Sequence, residues 1–127
     1  MSIFSQKDGV TTEFISLNKG PEKGPDLPFG ISSHQMVQVN SKAIYLIGGN
    51  EQPSYKKMNK TLIIDPTNNF DFKEGPPMNV PRSHHSCATM KLNGKVFIVV
   101  VGGISYTEMD DGTQRVCMLA CIFSLVR

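Results

Sequence analysis

Apolar residues in this chain gather in short runs broken by Gly, Pro, Asn and Asp, and no stretch keeps a helical period. Residues 35–39 alternate polar and apolar side chains, as a strand with one face in a core requires. Residues 43–47 are apolar throughout, which predicts a strand covered on both faces. Residues 14–17, 60–64 and 70–72 predict further strands; the turn sequence Asp65-Pro66-Thr67-Asn68-Asn69 closes the second of these. Asn93-Gly94 lies between the β-rich runs 87–92 and 95–101. Both residue types accept the positive φ of a type I′ turn, so a tight hairpin is predicted there. Asn40-Ser41 holds the matching place in the earlier pair, and Asp111-Gly112 predicts one more hairpin leading into the apolar stretch 116–126. The predicted class is all-β and antiparallel.

These signals occur twice. Gly24-Pro25-Asp26-Leu27-Pro28 leads through His34 to Ile44-Tyr45-Leu46-Ile47-Gly48-Gly49, and Gly75-Pro76-Pro77-Met78 leads through His85 to Phe97-Ile98-Val99-Val100-Val101-Gly102-Gly103. The spacing is 51 residues from Gly24 to Gly75 and from His34 to His85, and 54 from Gly48 to Gly102. A period near 50 marks copies of one supersecondary unit, which cannot bury its apolar faces alone. Each copy is expected to be a meander of about four short antiparallel strands.

The pattern resembles the kelch repeat, one four-stranded blade of a β-propeller. Pro81-Arg82-Ser83-His84-His85-Ser86 resembles the Arg-and-His stretch that opens such a repeat. Lys42-Ala43-Ile44-Tyr45-Leu46-Ile47-Gly48-Gly49, and Asn93-Gly94-Lys95 followed by an apolar run and Gly102-Gly103, resemble its inner hairpin and double glycine. Residues 59–64 with the Asp65-Pro66 turn resemble its third strand. Two departures stand out: Ile64 replaces the Tyr expected before Asp-Pro, and with no Trp in the chain Phe70 or Phe72 must fill the pocket of the expected Trp. The resemblance implies a partial kelch-type propeller: residues 1–23 as the tail of a preceding blade, 24–78 as one repeat and 79–127 as a second, incomplete one. The signature positions are then His34, Gly48, Gly49, Asp65, Arg82, His85, Gly102 and Gly103. Two and a half blades fall short of the four to eight of a closed ring, so the chain reads as part of a longer propeller or as one member of a ring of copies.

Composition narrows the partners. The chain has 127 residues, 39% hydrophobic and 19% charged, with a formal net charge of +2. Its longest uninterrupted apolar runs, residues 96–101 and 116–123, are far below the roughly 20 residues of a membrane span. The only basic cluster, Lys56-Lys57-Met58-Asn59-Lys60, is too small for a nucleic-acid face. Residues 1–8 lack the apolar core of a secretory signal. Three cysteines cannot all pair internally. Cys117 and Cys121, four apart on a strand, would lie about 13 Å apart, beyond the roughly 7 Å a disulfide spans. Free thiols without a signal lead us to expect a cytoplasmic protein.

Catalytic chemistry has little support. Neighbours on a strand point to opposite faces, so His84 and His85 are not expected to share a metal. Cys117 and Cys121 lack the partner pair that zinc requires, Ser86 has no nucleophile elbow around it, and neither double glycine continues into a phosphate loop. Asp110-Asp111 reads as a solvated turn. Asn59-Lys60-Thr61 fits a glycosylation acceptor, which matters only for a secreted chain. The expected function is a non-enzymatic protein–protein interaction scaffold without cofactor or metal, binding neither nucleic acid nor membrane. The alternative is a piece of a propeller enzyme, of the galactose-oxidase kind or acting on small molecules. Contact with a protein partner is expected in the loops 50–59 and 104–113, where Tyr55 and Tyr106 follow the double glycines.

Overall fold

The computed structural model describes the backbone of residues 3–6, 11–16, 20–108, 114–118 and 122–124, and the side chains of residues 23–105. All regular elements among these residues are strands, and every pairing is antiparallel. None of the described residues forms a helix long and apolar enough to cross a membrane.

At the N-terminal end, β1 (Ile3–Gln6), β2 (Thr11–Ser16) and β3 (Gly20–Lys23) form a three-stranded meander. β4 (Gly30–Ser32) follows; β5 (Gln35–Asn40) and β6 (Ala43–Ile47) then make a hairpin. β7 (Asn50–Gln52) and β8 (Lys56–Lys57) leave that sheet to pair with β4 in the order β4-β7-β8. The chain returns through β9 (Thr61–Asp65) and β10 (Asp71–Glu74), completing a four-stranded sheet of order β10-β9-β6-β5. Continuing, β11 (Ser86–Leu92) and β12 (Lys95–Val101) form a second hairpin, β13 (Ile104–Glu108) pairs with β14 (Gln114–Met118), and β15 (Ile122–Ser124) adds to β12. Thus β15 takes on β12 the place that β9 takes on β6. A bridge between Ser83 and Ile104 matches the pairing of Ser32 with Asn50.

The change of spacing from 51 to 54 has a local cause. Gln35 pairs with Ile47 and Ser86 with Val101, so the two hairpins share one register at the glycine end. They differ at the tip. The first closes early, with a β-bulge between Gln38 and Asn40 and a turn at Ser41-Lys42 in which the Lys42 N–H donates to Asn40 Oδ1 at 2.8 Å. The expected Asn40-Ser41 turn is therefore displaced by one residue. The second hairpin runs on without a bulge to Asn93-Gly94, whose φ values of 52° and 77° are those of the predicted type I′ turn.

Alternation along the strands gives the four-stranded sheet two apolar faces. One carries Ile44, Leu46, Leu62 and Ile64 and packs on Leu27, Ile31 and Met58, with the partly buried Phe70 and Phe72 against it. The other carries Val37, Tyr45 and Ile47 and packs on Ile98 and Val100 of β12, with Met78 and Cys87 between. The second core joins the two sheets. Apolar burial of this kind contributes roughly 25 cal/mol per Å2, the dominant favourable term in folding.

Candidate functional site

The signature residues converge where the two sheets meet. Both double glycines have positive φ, 63° and 102° at Gly48 and Gly49, 73° and 93° at Gly102 and Gly103. A Cβ on Gly49 would lie 2.6 Å from Ser32 O and 2.9 Å from His34 Cβ; on Gly103 it would lie 2.7 Å from Ser83 O and 2.9 Å from His85 Cβ. Backbone conformation and close approach both demand glycine at these two places.

His85 spans the junction. It is buried, and its Nε2–H donates to Ile47 O at the end of β6 over 2.9 Å. A Cβ on Gly48 would lie 2.7 Å from His85 Cε1, so this glycine is the seat of the imidazole. Burial, with the Arg82 guanidinium and the other two histidines nearby, pushes the His85 pKa down to about 4. The ring is therefore neutral at physiological pH. Burial also lowers the His34 pKa. Arg82 is buried too: Nη1 donates to Gly102 O at 3.1 Å, the backbone N–H donates to Met58 O, and the carbonyl accepts from Gly49 N–H at 2.8 Å. One residue thereby ties the glycine corners of both sheets.

His84 departs from expectation. It precedes β11 with φ 57°, so it is not the strand neighbour of His85. Its N–H donates to Ser33 O at 3.1 Å, and its Nε2 lies 3.2 Å from Ser33 Oγ. Ser33, 51 residues earlier, has φ 55°. Corresponding positions of the two sheets thus touch directly. Under rotation from one unit to the next, corresponding points can touch only close to the axis.

Asp65 builds its own turn. Its Oδ1 accepts from Thr67 Oγ1 at 2.6 Å and Thr67 N–H at 2.9 Å, and these bonds hold the carboxyl below its ordinary range. Cys87 stands at the inter-sheet core as a thiol, its pKa raised by burial to about 11. Among the described residues no three His, Cys, Asp or Glu side chains gather as a metal-binding group. Cys117 lies on β14 with its side chain outside the described residues, as are Cys121 and the turn Asp110–Gly112.

A cleft of about 580 Å3 opens between the sheets on the side of the β7–β8 hairpin. Tyr55, Lys56 and Lys57 line it from the first unit, Val80 and Pro81 from the linking segment, and Ser105 from β13. The expected loop 50–59 is in fact this hairpin, hydrogen-bonded to β4, and 104–108 is likewise a strand. Lys57 is buried with its Nζ donating to Asn50 Oδ1 at 3.0 Å, so it braces the hairpin, whereas Lys56 faces solvent. Tyr55 occupies the bend with φ 59°, fixed by its N–H donating to Glu51 O, yet its side chain is 62% exposed. Sequence reasoning selected Tyr55 from its offset; the pairing partner of this segment, β4, was missed because Gly30–Ser32 carries no strand signature. Tyr106 sits in β13 opposite Val116, its side chain outside the described residues. No protein-family model matches the chain, and none of the curated proteins compared with it is similar to it.

Proposed function

We propose that the two joined sheets are successive blades of a kelch-type β-propeller, and that the chain is a non-catalytic scaffold holding a protein partner at the cleft beside Tyr55. Three features support the blade reading: the shared register of the hairpins, the duplicate contacts at Gly49 and Gly103, and the direct bond between corresponding residues Ser33 and His84 near a common axis.

Tyr55 carries the functional reading. A non-glycine residue at positive φ is conformationally costly, and such residues gather at sites of recognition. Here the strained residue is an aromatic whose side chain is largely in solvent, so packing does not compensate the strain. Exposed Tyr is a frequent anchor of protein interfaces because it combines a large ring with a polar tip. Lys56 gives the rim positive charge, and no carboxylate lines the cleft, which favours a partner segment bearing acidic groups.

The test is capture of protein partners on the immobilised chain, compared with the Tyr55→Ala plus Tyr106→Ala double variant. The expected outcome is a partner lost from the variant while its far-UV circular dichroism is unchanged. A partner retained at full affinity would remove the cleft from consideration.

A further inference from the structure

Ser33, His84 and Ser83 form a chain of side-chain contacts apart from the Tyr55 cleft. His84 Nε2 lies 3.2 Å from Ser33 Oγ, and its Nδ1 lies 3.1 Å from Ser83 Oγ. A hydroxyl, an imidazole in contact with it and a third group orienting that imidazole make the arrangement that activates a serine nucleophile. The orienting member is rigid: Ser83 is fully buried, and its backbone exchanges hydrogen bonds with Ile104 in both directions, at 3.1 and 2.9 Å. With Nδ1–H donating to Ser83 Oγ, the imidazole keeps the Nε2 lone pair for the Ser33 hydroxyl, which donates to it.

Backbone and exposure fit a reactive group. Ser33 and His84 have φ of 55° and 57°, a costly conformation for residues other than glycine and one that gathers at functional positions. Packing does not offset the cost: Ser33 is half-buried and His84 exposed, so the pair is open to a small reagent. The backbone bond from His84 N–H to Ser33 O, 3.1 Å, holds the two residues together across the two sheets.

We propose that Ser33 is a modification site, a hydroxyl activated by His84 that takes an acyl group from an activated ester or thioester. His84 Nε2 removes the hydroxyl proton as Ser33 Oγ bonds to the carbonyl carbon. The bond from that carbon to the leaving oxygen or sulfur then breaks, and the imidazole returns the proton to the leaving group or to water. A nucleophile with a base suits donors with good leaving groups, which sets the class of reagent. The product is a Ser33 ester, formed once per chain, so the modification is compatible with a scaffold that turns over no substrate. Ser83 acts through His84 as a positioning residue.

Reaction of the full chain with p-nitrophenyl acetate tests this, the acetyl groups being located by peptide fragmentation in a mass spectrometer. Ser33 should be acetylated at least about a hundredfold faster than the exposed Ser41 and Ser54 of the same sample, the scale of general-base assistance. His84→Gln should remove most of that advantage, and Tyr55→Ala should leave it unchanged. Ser33 acetylated no faster than Ser41 and Ser54, or as fast in a folded His84→Gln variant as in the wild type, would overturn the proposal. The comparison among serines needs no variant and decides the matter where His84→Gln does not fold. Nitrogen NMR of the His84 ring should show the Nδ1–H tautomer in the wild type and mixed tautomers, with slower acetylation, in Ser83→Ala; an unchanged tautomer and rate would overturn the positioning role of Ser83.

Discussion

Ile47 and Val101 occupy the same place, each the last residue of an inner strand before a double glycine. Ile47 is 0% exposed and Val101 is 44% exposed. Sequence pattern, register and strand order do not distinguish them. What differs is the neighbour: the second sheet covers Ile47 and sends His85 to its carbonyl, whereas among the described residues no sheet does the same for Val101. Burial in a repeat architecture is thus decided between units, and a unit's local sequence carries only half of it.

The comparison can be broken most forcefully at the glycines. Gly49→Val and Gly103→Val should each cost more than about 4 kcal/mol, because a β-branched residue at positive φ also meets a fixed carbonyl oxygen. Chemical denaturation should show the two variants equally damaged if the corners are equivalent; a melting temperature unmoved by Gly49→Val contradicts the assignment. Next, Ile47→Ala should cost roughly 2–5 kcal/mol by opening a cavity in the inter-sheet core. The corresponding Val101→Ala should cost under about 1 kcal/mol, since little of that side chain is withdrawn from water. Comparable losses from the two changes would show that the faces are covered alike.

Acid sharpens the same junction. The His85 pKa stands at about 4 in the folded chain, below its ordinary value of 6.5, so the unfolded chain takes up the proton first. Stability is full above pH 6.5 and falls as the pH drops from there toward 4, and the lowered pKa of His34 acts in the same sense. Thermal melts across this window should lose on the order of 10 °C, with most of the slope absent in His85→Gln. The Asp65 carboxyl, held low by Thr67, adds its loss only below the ordinary carboxylate range. The smallest effect belongs to the exposed hairpin tip. A Cβ on Gly94 would meet nothing within 4 Å, so Gly94→Ala should cost only the positive φ, about 1 kcal/mol. A loss as large as that of Gly49→Val would mean that the tip is packed.

Much of the fold was legible because its signals are local. Alternation fixed β5, an unbroken apolar run fixed β6, and Asn93-Gly94 fixed the turn between β11 and β12. The Asp65 turn could be read because its hydrogen bonds close within two residues. Segments held by distant backbone were not legible. β7 and β8 looked like a polar loop because their partner, β4, lies some twenty residues away and its ladder is made by backbone groups. His84 was misplaced for a similar reason: its conformation answers to Ser33 in the preceding unit, which the local sequence does not encode. At the cleft, the sequence pointed to Tyr55 by its place after the double glycine, but its left-handed backbone and the buried brace from Lys57 to Asn50 needed three dimensions.

The account depends on the second sheet packing against the first through His85. The most direct measurement is a nuclear Overhauser spectrum of the labelled chain, read for cross-peaks between His85 Hε1 and the Gly48 Hα protons. A strong cross-peak linking these residues is the predicted result, since the imidazole sits where a Gly48 side chain would be. A spectrum with both resonances assigned and no contact between them would contradict the packing and the propeller reading built on it.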